Sequence, residues 1–272
     1  MSKCYAVASG KGGVGKSTLT ANLAAALALE GSRVLVIDAD IGLRSQDAIL
    51  SLENRVVYDL IDLAEGDCTL DQAVLPVDSV RGLFLLPAAQ FSRARKLDPD
   101  RFRKILDSLR QSYDYIFIDC PAGVERGLRN VLNAGVDEEI LVATPDDISV
   151  RSAERAFQVM DSKKLNRPWL IVNRINADWV RSAGMMSART VSQVLDLPLL
   201  GEIPDDPVVL RAALKHSLFI TYDCEARNAL LRTASRLAGR SLPFPCYGEK
   251  KPSLLRRLFS RPLKEVTPID DH

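Results

Sequence analysis

The sequence predicts an α/β fold: a doubly wound, mostly parallel sheet of about seven or eight strands with helices on both faces, followed by an amphipathic tail helix. Three observations predict it. Short apolar runs alternate with longer stretches of helical period. Several of the runs are apolar on both faces, as a sheet covered by helices on each side requires. A glycine-rich segment joins the first run to the first helical stretch, at the sheet edge where such folds bind ligands. The chain has 272 residues, enough to bury a core without disulfide or metal staples. Its composition is 47% hydrophobic, 26% charged and 6% aromatic, which excludes a disordered chain, a collagen-like repeat and a coiled-coil rod.

In chain order, strands are expected at 4–8, 34–37, 83–86, 115–118, 140–143, 170–172 and 199–203. Helices are expected at 16–30, 100–110, 150–164, 187–195 and 226–237. In the first helix Leu19, Leu23, Ala26, Leu27 and Leu29 trace an apolar face. From Ser241 the text changes, because Pro243, Pro245, Gly248 and Pro252 break regular structure. This divides the chain into a domain over 1–240, a linker over 241–251, a helix over 252–264 and a disordered end over 265–272. No apolar run approaches the roughly 20 residues that cross a bilayer as a helix. The first residues lack the layout of a secretory signal. The five cysteines, Cys4, Cys68, Cys120, Cys224 and Cys246, form no CxxC pair and read as reduced thiols of a cytoplasmic protein, with Cys4 and Cys120 in the core.

Charge is unevenly placed. Lys250, Lys251, Arg256, Arg257, Arg261 and Lys264 lie together without an acid among them, which leaves 30 basic against 35 acidic residues elsewhere. A weakly acidic body carries a basic tail.

The segment after the first strand, Gly10-Lys11-Gly12-Gly13-Val14-Gly15-Lys16-Ser17, fits GxxxxGK[ST]. Chance supplies such a match in about one chain of this length in a hundred. Glycines let successive N–H groups face phosphate oxygens, and the helix start adds its positive end. Lys16 would place a cation on the phosphates, and Ser17 would ligate Mg²⁺ beside them. Lys11 is either a solvated surface cation or a second charge for the phosphates, for its own nucleotide or across a dimer. Two apolar strands end in acids: one in Asp38 and Asp40, the other in Asp119. Asp119 is the Walker B candidate for the Mg²⁺ shell, and Asp38 or Asp40 could orient the attacking water; the plain alternative for each is a cap or turn. Cys120-Pro121-Ala122-Gly123 reads as a mobile loop near the γ-phosphate. His216 and His272 are weak metal candidates.

Residues 10–18 read GKGGVGKST, which resembles the deviant Walker A box of the MinD family, whose wider group includes ParA and the nitrogenase iron protein. Asp40-Ile41-Gly42-Leu43-Arg44-Ser45-Gln46-Asp47 resembles the family's switch I. Arg55-Val56-Val57-Tyr58-Asp59-Leu60, Leu86-Pro87-Ala88-Ala89-Gln90, Asp119-Cys120-Pro121-Ala122-Gly123-Val124-Glu125 and Gly201-Glu202-Ile203-Pro204-Asp205-Asp206 are similar to it too, so the likeness spans nearly the whole chain. The resemblance implies an ATPase using ATP and Mg²⁺ that dimerises around ATP. Lys11 would contact nucleotide across the dimer, and Gly10, Gly12, Gly13, Val14, Gly15, Lys16, Ser17 and Thr18 would hold the phosphates. Ser17, Asp38 and Asp119 would serve the metal. Asp40 would position the hydrolytic water, with Asp38 beside it as a catalytic acid. Asn173 and Arg174, with Pro204, Asp205 and Asp206, would face the base. The implied partners are the division inhibitor MinC and the ATPase-stimulating MinE or an equivalent topology factor, with no nucleic acid expected. Two places depart from the family. MinD proteins usually show Glu after Thr144-Pro145 and then Val-Arg-Asp-Ala-Asp-Arg, where this chain has Asp146-Asp147 and Val150-Arg151-Ser152-Ala153-Glu154-Arg155. The usual Asn-x-Gly-Glu-Pro is replaced around Lys215-His216-Ser217-Leu218.

In the tail, Leu254, Leu255, Leu258 and Phe259 share one helical face, with Arg256, Arg257 and Arg261 beside or opposite it. So short a helix is marginal in water. At an anionic bilayer it would gain roughly 1.5–3 kcal/mol per large apolar side chain and about 1 kcal/mol per basic residue. That is enough for reversible binding, and two copies on a dimer would add avidity. The tail stands where MinD-family proteins carry a membrane-targeting sequence, which implies a peripheral place on the inner face of the cell membrane. Two alternatives share these features: a ParA-like partition or flagellar-placement ATPase, and a nucleotide-gated membrane scaffold with negligible turnover.

Overall fold

The computed structural model describes residues 2–89, 97–123, 126–161 and 167–249, the side chain of Arg126 excepted. In order the elements are β1 (Lys3–Ala8), α1 (Lys16–Leu29), β2 (Val34–Asp38), α2 (Gln46–Ile49), α3 (Leu60–Glu65), α4 (Leu70–Ala73), β3 (Leu75–Pro76) and β4 (Leu83–Leu86). Then follow α5 (Pro99–Leu109), β5 (Tyr115–Asp119), α6 (Arg126–Asn133), β6 (Glu138–Ala143) and α7 (Asp147–Asp161). The described chain ends through β7 (Trp169–Ile175), α8 (Ala177–Arg181), α9 (Ala188–Leu195), β8 (Leu199–Pro204), α10 (Pro207–Leu214) and α11 (Glu225–Leu237).

Among the described residues the sheet has eight strands, within the seven or eight expected, and the structure sets their order as β3-β4-β2-β5-β1-β6-β7-β8. All neighbours run parallel except β3, which lies antiparallel on β4 at one edge. β3 is two residues long and holds Pro76, which edge strands tolerate, so periodicity could not reveal it. Successive strand residues alternate between two cores. Cys4, Ala6 and Ala8 of β1 face one core, built with Phe102, Leu106, Leu128 and Val191. Tyr5 and Val7 face the other, built with Leu19, Leu23, Leu230 and Ala234. This two-sided burial is why the strands read as unbroken apolar runs.

The sequence assigns α1 one apolar face, and the structure corrects this. α1 is buried almost all round, because the sheet covers one side and α11 the other. Leu29, placed on the apolar face by period, is 56% exposed at the helix end. α7 starts earlier than expected, since Asp146 Oδ1 accepts the Ser149 N–H at 2.9 Å and so organises the first turn. Its expected end at 162–164 lies outside the described residues.

The segment expected to be a linker packs on the body as far as Glu249. Arg236 on α11 donates to the carbonyls of Leu242 and Pro243, at 3.0 and 2.9 Å, and lies 3.9 Å over the Phe244 ring. The Cys246 N–H donates to Glu202 Oε1 at 2.5 Å, and the Tyr247 hydroxyl accepts from Arg232 at 2.8 Å. Gly248 lies so close to α8 that a Cβ there would be 2.4 Å from the Ala177 carbonyl oxygen. The tail residues Leu254, Leu255, Arg256, Arg257, Leu258 and Phe259, and the end over 265–272, lie outside the described residues, as do Gln90, Val124 and Glu125.

Candidate functional site

The strand order places β1, β2 and β5 together, and their carboxyl ends make the site. Asp38 and Asp119 are opposite one another in the β2–β5 register, and Val7 of β1 lies opposite Asp119 on the other side. The loop from β1 into α1 passes over this edge. At Gly10 an added Cβ would sit 1.9 Å from the Ser152 carbonyl oxygen, so only glycine lets α7 approach the loop. Gly15 caps α1 at φ 91°, a left-handed conformation that glycine adopts freely. No side chain caps α1, and its first turn has no acid, so its leading N–H groups are available to an anion. Beside Gly12 and Gly13 there is open space.

Lys16 and Asp119 form a buried ion pair, with Nζ 2.5 Å from Oδ1. Lys16 Nζ also lies 3.3 Å from Ser17 Oγ. Thr20 donates more weakly to the same Asp119 oxygen, at 3.4 Å. Asp119 Oδ2 accepts from Gln46 Nε2 at 2.7 Å; the sequence places Gln46 in the switch I-like string but gives it no role, because a single polar side chain carries no pattern. Asp38 is fully buried and accepts three backbone N–H bonds, from Asp40 at 3.0 Å and from Ser45 and Gln46 at 2.9 Å each. It therefore anchors the whole 40–46 loop. Burial, and then the nearby Asp119 charge, push its carboxyl up to about 7 in spite of those donors. Asp40 is half-buried next to them. Burial raises its carboxyl, Lys16 opposes and Asp119 adds to the rise.

Lys11 extends from the loop at the surface, 3.4 Å from Asp146 Oδ1. Burial would raise the Asp146 carboxyl, but bonds from the Thr144 hydroxyl and Ser149 N–H, together with Lys11, bring it below its usual range. The Gly123 N–H, expected to sense phosphate, donates to the Ser9 carbonyl at 2.9 Å and so ties that loop to the loop before α1. Cys120 and Cys4 are fully buried. Burial pushes the Cys4 thiol up to about 12 and that of Cys120 higher still, so both are unreactive packing residues.

A pocket of about 420 Å³ adjoins the start of α1 and brings Gly15 and Thr18 together with Asn173, Arg174, Pro204 and Asp205. Asp206 also lines it, but its carboxylate caps α10, accepting the N–H groups of Val208 at 2.9 Å and Ala226 at 3.2 Å. Asn173 of β7 is buried and donates to the Val14 carbonyl at 2.8 Å, which joins β7 to the loop before α1. Among the described residues no three His, Cys, Asp or Glu side chains form a metal cage. One hydroxyl, from Ser17, and one buried carboxylate, from Asp119, whose oxygens are held here by Lys16 and Gln46, are of the kind that suits Mg²⁺, which keeps its waters and binds with phosphates. His216 lies away from these groups, 3.4 Å from Glu53 Oε1.

Residues 1–238 match the family model described as ParA, NUBPL iron-transfer P-loop NTPase. The septum site-determining protein MinD of Bacillus subtilis is 37% identical over 264 residues, covering 96% of this chain and 98% of that protein. The chain belongs to the MinD family of P-loop ATPases. The Helicobacter pylori MinD is 39% identical and covers 93% of this chain and 98% of its own length. Among solved structures, the Aquifex aeolicus MinC:MinD complex matches with TM-score 0.84 and 36% identity, over 91% of this chain and 100% of that one. A MinD from Pyrococcus horikoshii complexed with Mg-ADP matches with TM-score 0.76 and 29% identity, over 87% and 96%. The MinD-family fold, with its eight strands and loop before α1, is the architecture built above from the residues.

Proposed function

We propose that this MinD-family chain is a membrane-associating ATPase that dimerises on ATP, binds the membrane through residues 252–264 and recruits a division inhibitor of the MinC kind, and so places the septum. The observation that carries the reading is the junction of phosphate loop, three acids and base-side pocket at one sheet edge. The Pyrococcus relative with Mg-ADP and the Aquifex MinC:MinD complex support it.

The N–H groups from Gly12 to Ser17 and the start of α1 hold the phosphates, and Lys16 balances their charge. Ser17 and Asp119 would hold Mg²⁺, which would supply positive charge to balance the phosphates. The purine edge lies against Asn173, Pro204 and Asp205. Asp40 directs an attacking water at the γ-phosphate, while Asp38 keeps the Asp40 loop in place through its three N–H bonds. Lys11 is at the surface, so it can reach a second nucleotide across a dimer. Leu43 and Ile148, exposed beside Asp40 and Asp146, give that dimer apolar contact. The ATPase domain runs through the packed segment to Glu249, and the membrane helix follows it. A MinE-like activator would release the dimer by triggering hydrolysis.

Asp40→Ala is expected to bind ATP while hydrolysis falls by about 10²-fold or more; unchanged turnover would reject the water-positioning role. Liposome sedimentation with ATP, ADP or no nucleotide, at two lipid charges, tests the whole reading. Binding only with ATP and loss on truncation after Glu249 support it. Binding regardless of nucleotide, or none, overturns it.

A further inference from the structure

Gln46 opens α2 and is completely buried. Its Nε2 donates to Asp119 Oδ2 at 2.7 Å and to the Ser17 carbonyl at 3.1 Å. Both neighbours are acceptors, so the amide has one orientation; the reverse would bring an oxygen against two oxygens. Its backbone N–H is held too, by Asp38 Oδ2 at 2.9 Å. One group is left over. Oε1 is buried and has no hydrogen-bond partner among the described residues. The neighbouring Ser45 Oγ is in the same condition. A buried acceptor is normally paired, and this one sits beside Asp119 and Ser17, the two groups suited to Mg²⁺.

We propose that Gln46 is a positioning residue of the nucleotide site: its Oε1 accepts a hydrogen from the hydration shell of Mg²⁺ while its Nε2 braces Asp119 and Ser17. The proposal rests on the nucleotide reading of the site. Mg²⁺ keeps several waters whose polarised hydrogens need acceptors. A neutral amide oxygen supplies one without adding a third carboxylate to Asp38 and Asp119. The 40–45 loop is fastened at both ends to this unit, through Asp38 and through Gln46. Metal arrival and the placement of Asp40 are thereby linked.

The test is a titration of the full chain with a fluorescent ADP analogue, in EDTA and over a series of Mg²⁺ concentrations. Gln46→Met keeps the volume and loses both ends of the amide. Gln46→Glu keeps an acceptor oxygen and loses the donor. Gln46→Met is expected to raise the Mg²⁺ concentration at half-effect about tenfold, a larger change than in its ADP affinity in EDTA. Gln46→Glu is expected to show half-effect at or below the wild-type concentration. Equal shifts in both variants would mean that the amide only braces Asp119 and Ser17, and would overturn the proposal. So would a Gln46→Met half-effect equal to wild type. If Gln46→Met does not fold, Gln46→Glu decides: a half-effect above wild type overturns the proposal. Failure of the wild-type chain to bind ADP in either condition overturns the nucleotide reading, and the proposal with it.

Discussion

Among the described residues Lys16 is the one cation paired directly with Asp119, and the pair is buried. Removing either partner leaves an uncompensated charge in a dry place, which costs about 3–5 kcal/mol. Lys16→Ala should therefore lower the urea midpoint without nucleotide, and ATP should produce no dimers in light scattering. Dimers formed by this variant with ATP would reject the site. Glu139 is a buried acid away from these, on the same face of β6 as Leu141 and Ala143, and neither oxygen has a hydrogen-bond partner among the described residues. Burial, with a smaller push from Asp161, raises its carboxyl to about 7. A folded-state pKa above the ordinary glutamate value favours the protonated fold. This stability is present below the usual glutamate range and is lost as pH rises through about 7. Glu139→Leu should gain about 1–3 kcal/mol over wild type at pH 8 and less at pH 5. Urea unfolding at both values measures it, and a gap that does not widen with pH refutes the account.

At the scale of elements, the packed segment from Leu242 to Glu249 changes how the end of the chain is understood. Its prolines mark it as irregular, which the sequence shows, but irregular backbone can still be held. Arg236 is 5% exposed, and Leu242, Pro243 and Phe244 supply two of its carbonyl acceptors and its aromatic neighbour. Truncation after Glu249 should leave the melting temperature unchanged. Truncation after Arg240 should cost about 3 kcal/mol, because Arg236 keeps only the Leu200 carbonyl. Equal melting temperatures would show that the segment adds nothing. Several short helices were missed although their starts are marked. Asp59 and Asp62 form a capping box at α3, and Asp206 with Pro207 starts α10. Such short helices have few turns in which periodicity can show, so their caps are the clearer mark, although the eight-residue α9 is expected from its period.

For the whole molecule, the packed segment brings Gly248 against α8, the helix that follows β7. Arg189 of α9 lies 3.7 Å from Glu249, the last described residue. On the proposed reading, Glu249 is held at one place on the body, from which two copies in a dimer would present their tails to one surface. Leu258→Glu should abolish liposome binding and leave ATPase activity in solution intact. Persistence of lipid binding would reject the amphipathic helix as the contact.

The seven longer strands, the five helices expected from period and the residues of the glycine-rich loop were readable from the chain alone. They depend on spacing: period two or 3.6 for the elements, and one contiguous GKGGVGKS string for the loop. The neighbours of the site residues were decided only by tertiary structure. Asp38 and Asp119 stand 81 positions apart in the chain and come together through β2–β5 pairing. Asn173 reaches Val14 from β7. Gln46 meets Asp119 only because Asp38 folds the intervening loop back. Such contacts cross the sheet, and local sequence patterns carry no record of which strands will become neighbours.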